Sequence, residues 1–425
     1  MFYVGLVIKM SENNWYQVDN VAKVFLATCN NRDTRTLRVS CTLNEDIDPE
    51  VLQQAAVMTA EERPQFQVRI RRGIFWHYME ETDLLPVVAE ETRRVCPRLY
   101  EPGRANCLHY EITYFGNRIN LDLFHAISDG TGALEFLNIL VFHYLTLKYP
   151  ELPEDLAVSS GASADDLSED SYKHFYNKKG HAQEALKKAL HPKGLMLPYD
   201  QLQFFELQMP VADILPKAKE IGVSLTSYLG ARLMLALSND MPTLSKGKPV
   251  NVSMPVNLRN YYPSSTSRNF FNNVNVTHIF TEDISLEDLA REFDASLKAD
   301  LDPDKIKAQM DNYEKMEALA PVKMVPLFVK QFTVRTAVKA SDENVSIVLS
   351  NLGVQRPAEE LRPYIQNYSA FCSSKNLFVA VSSYGDTLTL GITSPYSNTG
   401  VLKNFVRGLT DDDIKVKAYA TEVVR

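Results

Sequence analysis

The sequence predicts an α/β fold of mixed sheets arranged as two lobes. The chain has 425 residues, well beyond the size at which one hydrophobic core stops growing. Strand and helix signals alternate in both halves, in a similar order but without a sequence repeat. A polar stretch separates the halves: Ser159-Ser160-Gly161, the acidic run Asp165 to Asp170, and a lysine-rich piece from Lys178 to Lys193. The expected division is an N-terminal lobe over residues 1–165, a partly helical surface crossover over 166–200, and a C-terminal lobe over 201–425.

In the first half, Met1 to Met10 holds the apolar run Phe2 to Ile8 without a basic flank or a small-residue cleavage site. It reads either as a first strand or as a tail upstream of a start at Met10. Thr36 to Leu43 is strand-like. Asp48-Pro49-Glu50 opens a helix, with Asp48 as N-cap and Pro49 in the first helical position. Val51, Leu52, Ala55 and Ala56 give that helix its apolar face. Phe66, Val68 and Ile70 alternate as a half-buried strand, and Ile74 to Met79 returns as its hairpin partner after Arg71-Arg72-Gly73. Leu108 to Phe115 and Arg118 to His125 form a second hairpin through Gly116-Asn117. A long helix follows, from about Thr131 to Tyr149, and Pro150 and Pro153 end it.

The second half continues in kind. Val211 to Ile221 is helical, and Ser224 or Thr226 caps an apolar helix through about Leu237. Val250, Val252, Met254 and Val256 alternate as a strand that runs into Asn257-Leu258-Arg259. Leu286 to Ala299 is helical. Val345 to Leu349 is a short buried strand leading into Ser350-Asn351-Leu352-Gly353. Leu377 to Ser383 and Thr387 to Thr393 pair about Gly385-Asp386.

Composition narrows the function. The net charge of −8 is spread along the chain, which argues against a nucleic-acid partner. Five cysteines, at positions 29, 41, 96, 107 and 372, include no C-x-x-C pair. That speaks against a disulfide framework or a zinc site and for a reducing, cytoplasmic setting. No stretch of about 18 apolar residues occurs, so no membrane span is expected. Glycine-rich nucleotide loops and the G-x-S-x-G hydrolase signature are missing too.

The sharpest feature is Phe124-His125-Ala126-Ile127-Ser128-Asp129-Gly130. His125 ends an alternating strand, on the face of Ile119, Leu121 and Leu123. An apolar setting keeps imidazole neutral, as a general base must be. Asp129 stands at the turn into the long helix, and Gly130 permits that turn. Taken alone, a histidine beside a capping aspartate is usually structural.

His-x-x-x-Asp-Gly between a strand and a helix resembles the active-site motif of the CoA-dependent acyltransferase superfamily. That superfamily includes chloramphenicol acetyltransferase, the plant BAHD enzymes, condensation domains and alcohol acetyltransferases. Met254-Pro255-Val256-Asn257-Leu258-Arg259 resembles its strand-end Asn-x-Arg or Asp-x-Arg, and Ser350-Asn351-Leu352-Gly353 its later Ser-Asn-x-Gly turn. Order, spacing and length match over nearly the whole chain. The resemblance implies two chloramphenicol-acetyltransferase-like lobes in a V, with an active-site tunnel between them. It implies His125 as general base, and Asp129 paired with Arg259 as support. Asn257 and Gly130 belong to that support, while Ser350 and Asn351 either donate hydrogen bonds to substrate or oxyanion or form a simple turn. It implies no bound cofactor or metal, and acyl-CoA as cosubstrate. The acceptor is a small alcohol or amine. The open alternatives are a carrier-protein thioester as donor, as in condensation domains, a non-catalytic binding protein on the same fold, and a hydrolase or other enzyme on this scaffold. Many condensation domains carry two adjacent histidines, whereas Phe124 stands first here. Strand alternation points Phe124 away from His125. Tyr261, Tyr262, Arg268 and Asn269 follow in a polar, aromatic loop read as a possible substrate contact, while His109, His143 and His278 receive no role.

Overall fold

The computed structural model describes residues 15–92, 95–104, 106–153, 164–175, 187–198, 201–240, 247–318 and 325–421. The apolar run Phe2 to Ile8, Ser159-Ser160-Gly161 and most of the lysine-rich piece lie outside them.

The first half runs β1 (Trp15–Gln17), α1 (Asn20–Thr28), β2 (Thr36–Leu43), α2 (Pro49–Glu62), β3 (Val68–Arg72), β4 (His77–Glu81), β5 (Val88–Glu90), β6 (Tyr110–Phe115), β7 (Arg118–Phe124) and α3 (Gly130–Lys148). Asp48 caps α2 by accepting from Glu50 N and Val51 N, with Pro49 in the first turn. Phe66 belongs to a short 3-10 turn, Pro64–Phe66, rather than to the strand that follows. Proline at its start fixes φ and removes a ladder donor, which favours the turn. The returning strand begins only at His77, leaving Ile74, Phe75 and Trp76 as the hairpin tip.

Two short helices, α4 (Ala164–Ser168) and α5 (Ser171–Phe175), precede the second half. They depart from the surface character read from the sequence. Leu167, Ser171 and Tyr172 are buried, and Ser267 N donates to Leu167 O at 2.8 Å. The acidic residues Asp166, Glu169 and Asp170 hid four buried positions within the segment, Ser168 being the fourth.

The second half runs β8 (Gln203–Pro210), α6 (Val211–Ile221), α7 (Leu225–Asn239), β9 (Pro249–Asn257), β10 (Phe271–Ile279), α8 (Leu286–Asp300), α9 (Pro303–Ala318), α10 (Leu327–Asp342), β11 (Ile347–Val354), β12 (Ile365–Cys372), β13 (Leu377–Tyr384), β14 (Thr387–Ser394), α11 (Gly400–Asp411) and β15 (Lys417–Ala420). Ser224 caps α7, its side chain accepting from Ser227 N at 3.1 Å.

Among the described residues the strands form three sheets. A seven-stranded sheet has the order β10-β9-β11-β13-β14-β8-β15, and its buried side chains join α6, α7, α8 and α11 in one core. A three-stranded sheet has the order β1-β4-β3. A five-stranded sheet has the order β12-β2-β7-β6-β5. Its outer strand comes from the C-terminal third of the chain, β12 pairing antiparallel with β2. With β12 and β7 on its two sides, every residue of β2 is buried. A second core forms over this sheet from α2, α3 and residues such as Leu361, Ile365 and Tyr368. The mixed α/β class and the two-lobed plan read from the sequence are those of the molecule.

Where β12 crosses β14, there is no room for a side chain. A Cβ on Gly391 would lie 1.8 Å from Ala370 O, a backbone atom that cannot step aside. Gly391→Ala is therefore expected to destabilise the protein by at least about 2 kcal/mol, read as a lowered urea midpoint. An unchanged midpoint would contradict this crossing.

Candidate active site

The site is built where β7 ends against the connection between β9 and β10. His125 follows the last residue of β7, and its N–H donates to Arg35 O at 2.8 Å. Its ring lies between Phe25 of α1, with centroids 4.4 Å apart, and Phe271, at 5.8 Å. Phe124, on the opposite side of the strand, is fully buried and stacks on Tyr100.

The tautomer of His125 follows from its hydrogen bonds. Asn269 Nδ2 donates to His125 O at 2.9 Å, which fixes the orientation of that amide. The atom left facing the ring is Asn269 Oδ1, 3.1 Å from His125 Nδ1. A carbonyl oxygen only accepts, so Nδ1 carries the proton and Nε2 keeps its lone pair. Among the described residues no hydrogen bond engages Nε2. Burial holds the pKa of His125 below its ordinary value, against the opposing pull of the Asp129 charge and of the hydrogen bonds to its own carbonyl and to Asn269. The imidazole is thus neutral at neutral pH, with the basic nitrogen chosen. Asn269 is held in turn by Asp19, the N-cap of α1, at 3.4 Å. Burial pushes the Asp19 carboxyl up to about 6.

Asp129 faces away from this ring nitrogen. Its Oδ1 accepts from Thr131 N at 3.0 Å and Gly132 N at 3.2 Å, capping α3. Its Oδ2 accepts from Arg259 Nη1 at 2.8 Å and Phe270 N at 3.0 Å. Arg259 Nη1 also donates to Asn257 Oδ1 at 3.2 Å, and the rest of the guanidinium is spent on backbone carbonyls: Nε and Nη2 on Thr266 O at 3.0 and 2.8 Å, and Nη2 on Arg268 O at 2.6 Å. Asn257 completes the cluster by accepting from Arg259 N at 3.0 Å and donating to Thr131 Oγ1 at 3.1 Å. Gly132 permits the close approach: a Cβ there would lie 2.3 Å from Ser267 O. Gly130 sits under the Ser350 turn, where a Cβ would meet Leu352 Cδ2 at 2.8 Å.

His125, Asp129, Gly130, Asn257 and Arg259 therefore converge at one place. The Ser350 turn adjoins this place, with Leu352 over Gly130. Asn351 donates to Thr226 Oγ1 at 2.9 Å and accepts from Gly353 N at 2.9 Å, so its amide is committed to the turn. Arg268 and Asn269, read as possible substrate contacts, are buried scaffold: Arg268 Nη1 donates to Gln17 O at 2.7 Å. The positioning partners Asn269, Asp19 and Phe25 are not marked by any motif. Their roles come from two segments distant in sequence, α1 with its cap and the loop after Arg259, meeting beside the ring. His109 is spent on Ile70 N and Leu99 O, and His143 lies 2.8 Å from Glu62. Burial pushes the Cys29 thiol up to about 11 and those of Cys41 and Cys372 to about 12, so none is a ready thiolate. A cavity of about 430 Å³ opens elsewhere, at the β5–β6 edge.

No family model matches the sequence, and no curated protein matches it. Solved structures do match. The trichothecene 15-O-acetyltransferase TRI3 from Fusarium sporotrichioides superposes with a TM-score of 0.60 at 12% identity, over 93% of this chain and 94% of that one. TRI101 from F. graminearum, complexed with ethyl coenzyme A, gives 0.60 at 10% identity, over 95% and 99%. The starter condensation domain of rhizomide synthetase RzmA gives 0.55 at 11% identity, over 94% and 96%. The chain has the CoA-dependent acyltransferase and condensation-domain fold. In that fold the likeness spans both lobes and nearly the whole length of each relative, and at these identities it is a likeness of architecture.

Asp129 ties two lobes through one carboxylate. Removing it leaves the Arg259 cation buried without its counter-charge. Asp129→Ala is expected to cost about 3 kcal/mol, measured by chemical denaturation. A loss below about 0.5 kcal/mol, the size of an exposed pair, would show that Arg259 does not depend on it.

Proposed function

We propose that the chain is an acyltransferase that moves an acyl group from a thioester, acyl-CoA in the first place, to an alcohol or amine, with His125 as general base. The observation that carries this reading is the neutral ring held by Asn269 with Nε2 free. The ethyl coenzyme A bound by TRI101 on the same fold supports CoA as the donor's carrier.

In the reaction, Nε2 takes the proton of the acceptor as its oxygen or nitrogen attacks the thioester carbonyl. The carbonyl π electrons pass to oxygen, giving a tetrahedral intermediate. Its oxyanion needs a preorganised donor. The Ser350 hydroxyl suits that role better than Asn351, whose amide is already engaged, because no hydrogen bond among the described residues commits it. Collapse breaks the carbon–sulfur bond and returns the proton from the imidazolium to the departing thiolate. No covalent enzyme intermediate is needed, which agrees with the raised thiol pKa values. Asp129, Arg259, Asn257 and Gly130 act as support that fixes the loop presenting His125.

Purified protein with acetyl-CoA and a panel of alcohols and amines tests the reading. Thiol release is expected only with an acceptor present, and His125→Ala is expected to reduce it by about 10²–10⁴-fold. The rate should rise with pH through the deprotonation of His125. Because its pKa is lowered, the acidic limb is expected to fall below the ordinary histidine value of about 6.5. Acceptor-independent release would make the protein a hydrolase. No release with any donor would sink the enzyme reading.

Asn269→Ala separates positioning from binding. We expect kcat to fall about tenfold with KM nearly unchanged. A rise in KM alone would place Asn269 in substrate binding instead.

A further inference from the structure

Among the described residues, the tip of the β3–β4 hairpin and the first turns of α10 form an exposed apolar face. Ile74 is 77% exposed, Phe328 66%, Phe332 70% and Phe75 43%. These side chains belong to one rigid patch, because the two elements are joined. Leu327 N donates to Ile74 O at 3.0 Å, and Lys330 Nζ donates to Phe75 O at 3.3 Å. The same ammonium lies 3.3 Å from the Trp76 ring centroid, and Lys23 of α1 approaches that ring at 4.8 Å. Phe328 and Phe332 stand one turn apart on the helix, so they project together.

The charge around this face runs against the rest of the molecule. The chain carries a net −8, yet from Leu327 to Ser341 helix α10 holds Lys330, Arg335 and Lys339 and no acidic residue. Exposed Arg72 adds a cation at the hairpin tip. The first carboxylate on α10, Asp342, lies at its far end and pairs with Lys375 at 3.5 Å. Protruding aromatic and aliphatic side chains ringed by lysine and arginine match the boundary between lipid headgroups and acyl chains. Protein–protein interfaces, by contrast, are depleted in lysine. Among the described residues no single helix is long and apolar enough to cross a membrane, so attachment would be to one leaflet.

We propose that this face, Ile74 and Phe75 with Phe328 and Phe332, is a peripheral membrane-binding surface that seats on anionic phospholipid. The rings enter the acyl boundary, and Arg72 and Lys339 meet the phosphates. The face is joined to the candidate site by packing: α10 packs on α1, where Arg335 Nε donates to Ala27 O at 2.6 Å, and α1 lays Phe25 on the His125 ring.

Vesicle co-sedimentation of the full chain tests this. The probes are vesicles of phosphatidylcholine alone and of phosphatidylcholine with phosphatidylserine. Binding is expected to the mixed vesicles, weaker to neutral ones, and weakened by added salt. The double variant Phe328→Ser, Phe332→Ser is expected to bind about a hundredfold more weakly. Its melting temperature should stay the same, since both side chains already face water. Lys339→Glu should weaken binding to the anionic vesicles alone. Absence of binding to either vesicle, or full binding by the double variant, overturns the proposal. So does a wild-type dimer that the double variant converts to a monomer, which would make the face a contact between copies. Retention by an acyl carrier protein with no retention by vesicles would overturn it in favour of a protein partner.

Discussion

One carboxylate, Asp129, organises the junction of the two lobes. Its two oxygens accept four hydrogen bonds from three parts of the chain: the start of α3, the Arg259 guanidinium, and the backbone at Phe270. A buried anion needs such saturation, because an unmatched lone pair in a medium of low dielectric is costly. The requirement passes onward. Arg259, matched to Asp129, uses its remaining N–H groups to hold the carbonyls of Thr266 and Arg268. Holding Arg268 O places the next residue, Asn269, against His125. The proton on Nδ1 is thus set by a chain of contacts that starts at a helix cap. Lysine in place of Arg259 would supply charge without the planar fork that this chain requires.

Much of this was legible in the sequence, and the legible part shares one property: it is local. The β6–β7 hairpin, the Asp48 cap of α2, the Ser224 cap of α7 and the strand ending at Asn257 each write their geometry into a few consecutive residues. Periodicity and capping chemistry recover such elements. What stayed hidden is non-local. Asn269 sits in a loop whose composition reads as polar surface, yet it is buried because Asp19 and His125 arrive from other segments. Phe25 has the pattern of any helix-face aromatic, and nothing nearby announces the imidazole it covers. Residues 164–175 carry the acidic Asp166, Glu169 and Asp170, which masked the buried Leu167 and Tyr172 that brace the loop after Arg259.

The likeness to solved acyltransferases and condensation domains at 11–12% identity has the same physical root. Sheet order and helix placement depend on hydrophobic pattern, which many sequences satisfy. Chemistry depends on a few atoms in register. Here those atoms are brought together by buried polar contacts, and such contacts tolerate little substitution. The wall of the site is correspondingly apolar, with Phe25 and Phe271 on the ring and Leu352 over Gly130.

The pairing of β12 with β2 bears on how the chain is made. Thr34 N bonds to Ser373 Oγ, 339 positions later in the sequence. During synthesis β2 emerges early and waits, with one hydrogen-bonding edge open, until nearly all the remaining chain has left the ribosome. An unpaired strand edge is a template for wrong partners. Closure of so long a loop is also entropically slow to achieve. The N-terminal lobe is consequently a late-maturing unit despite coming first.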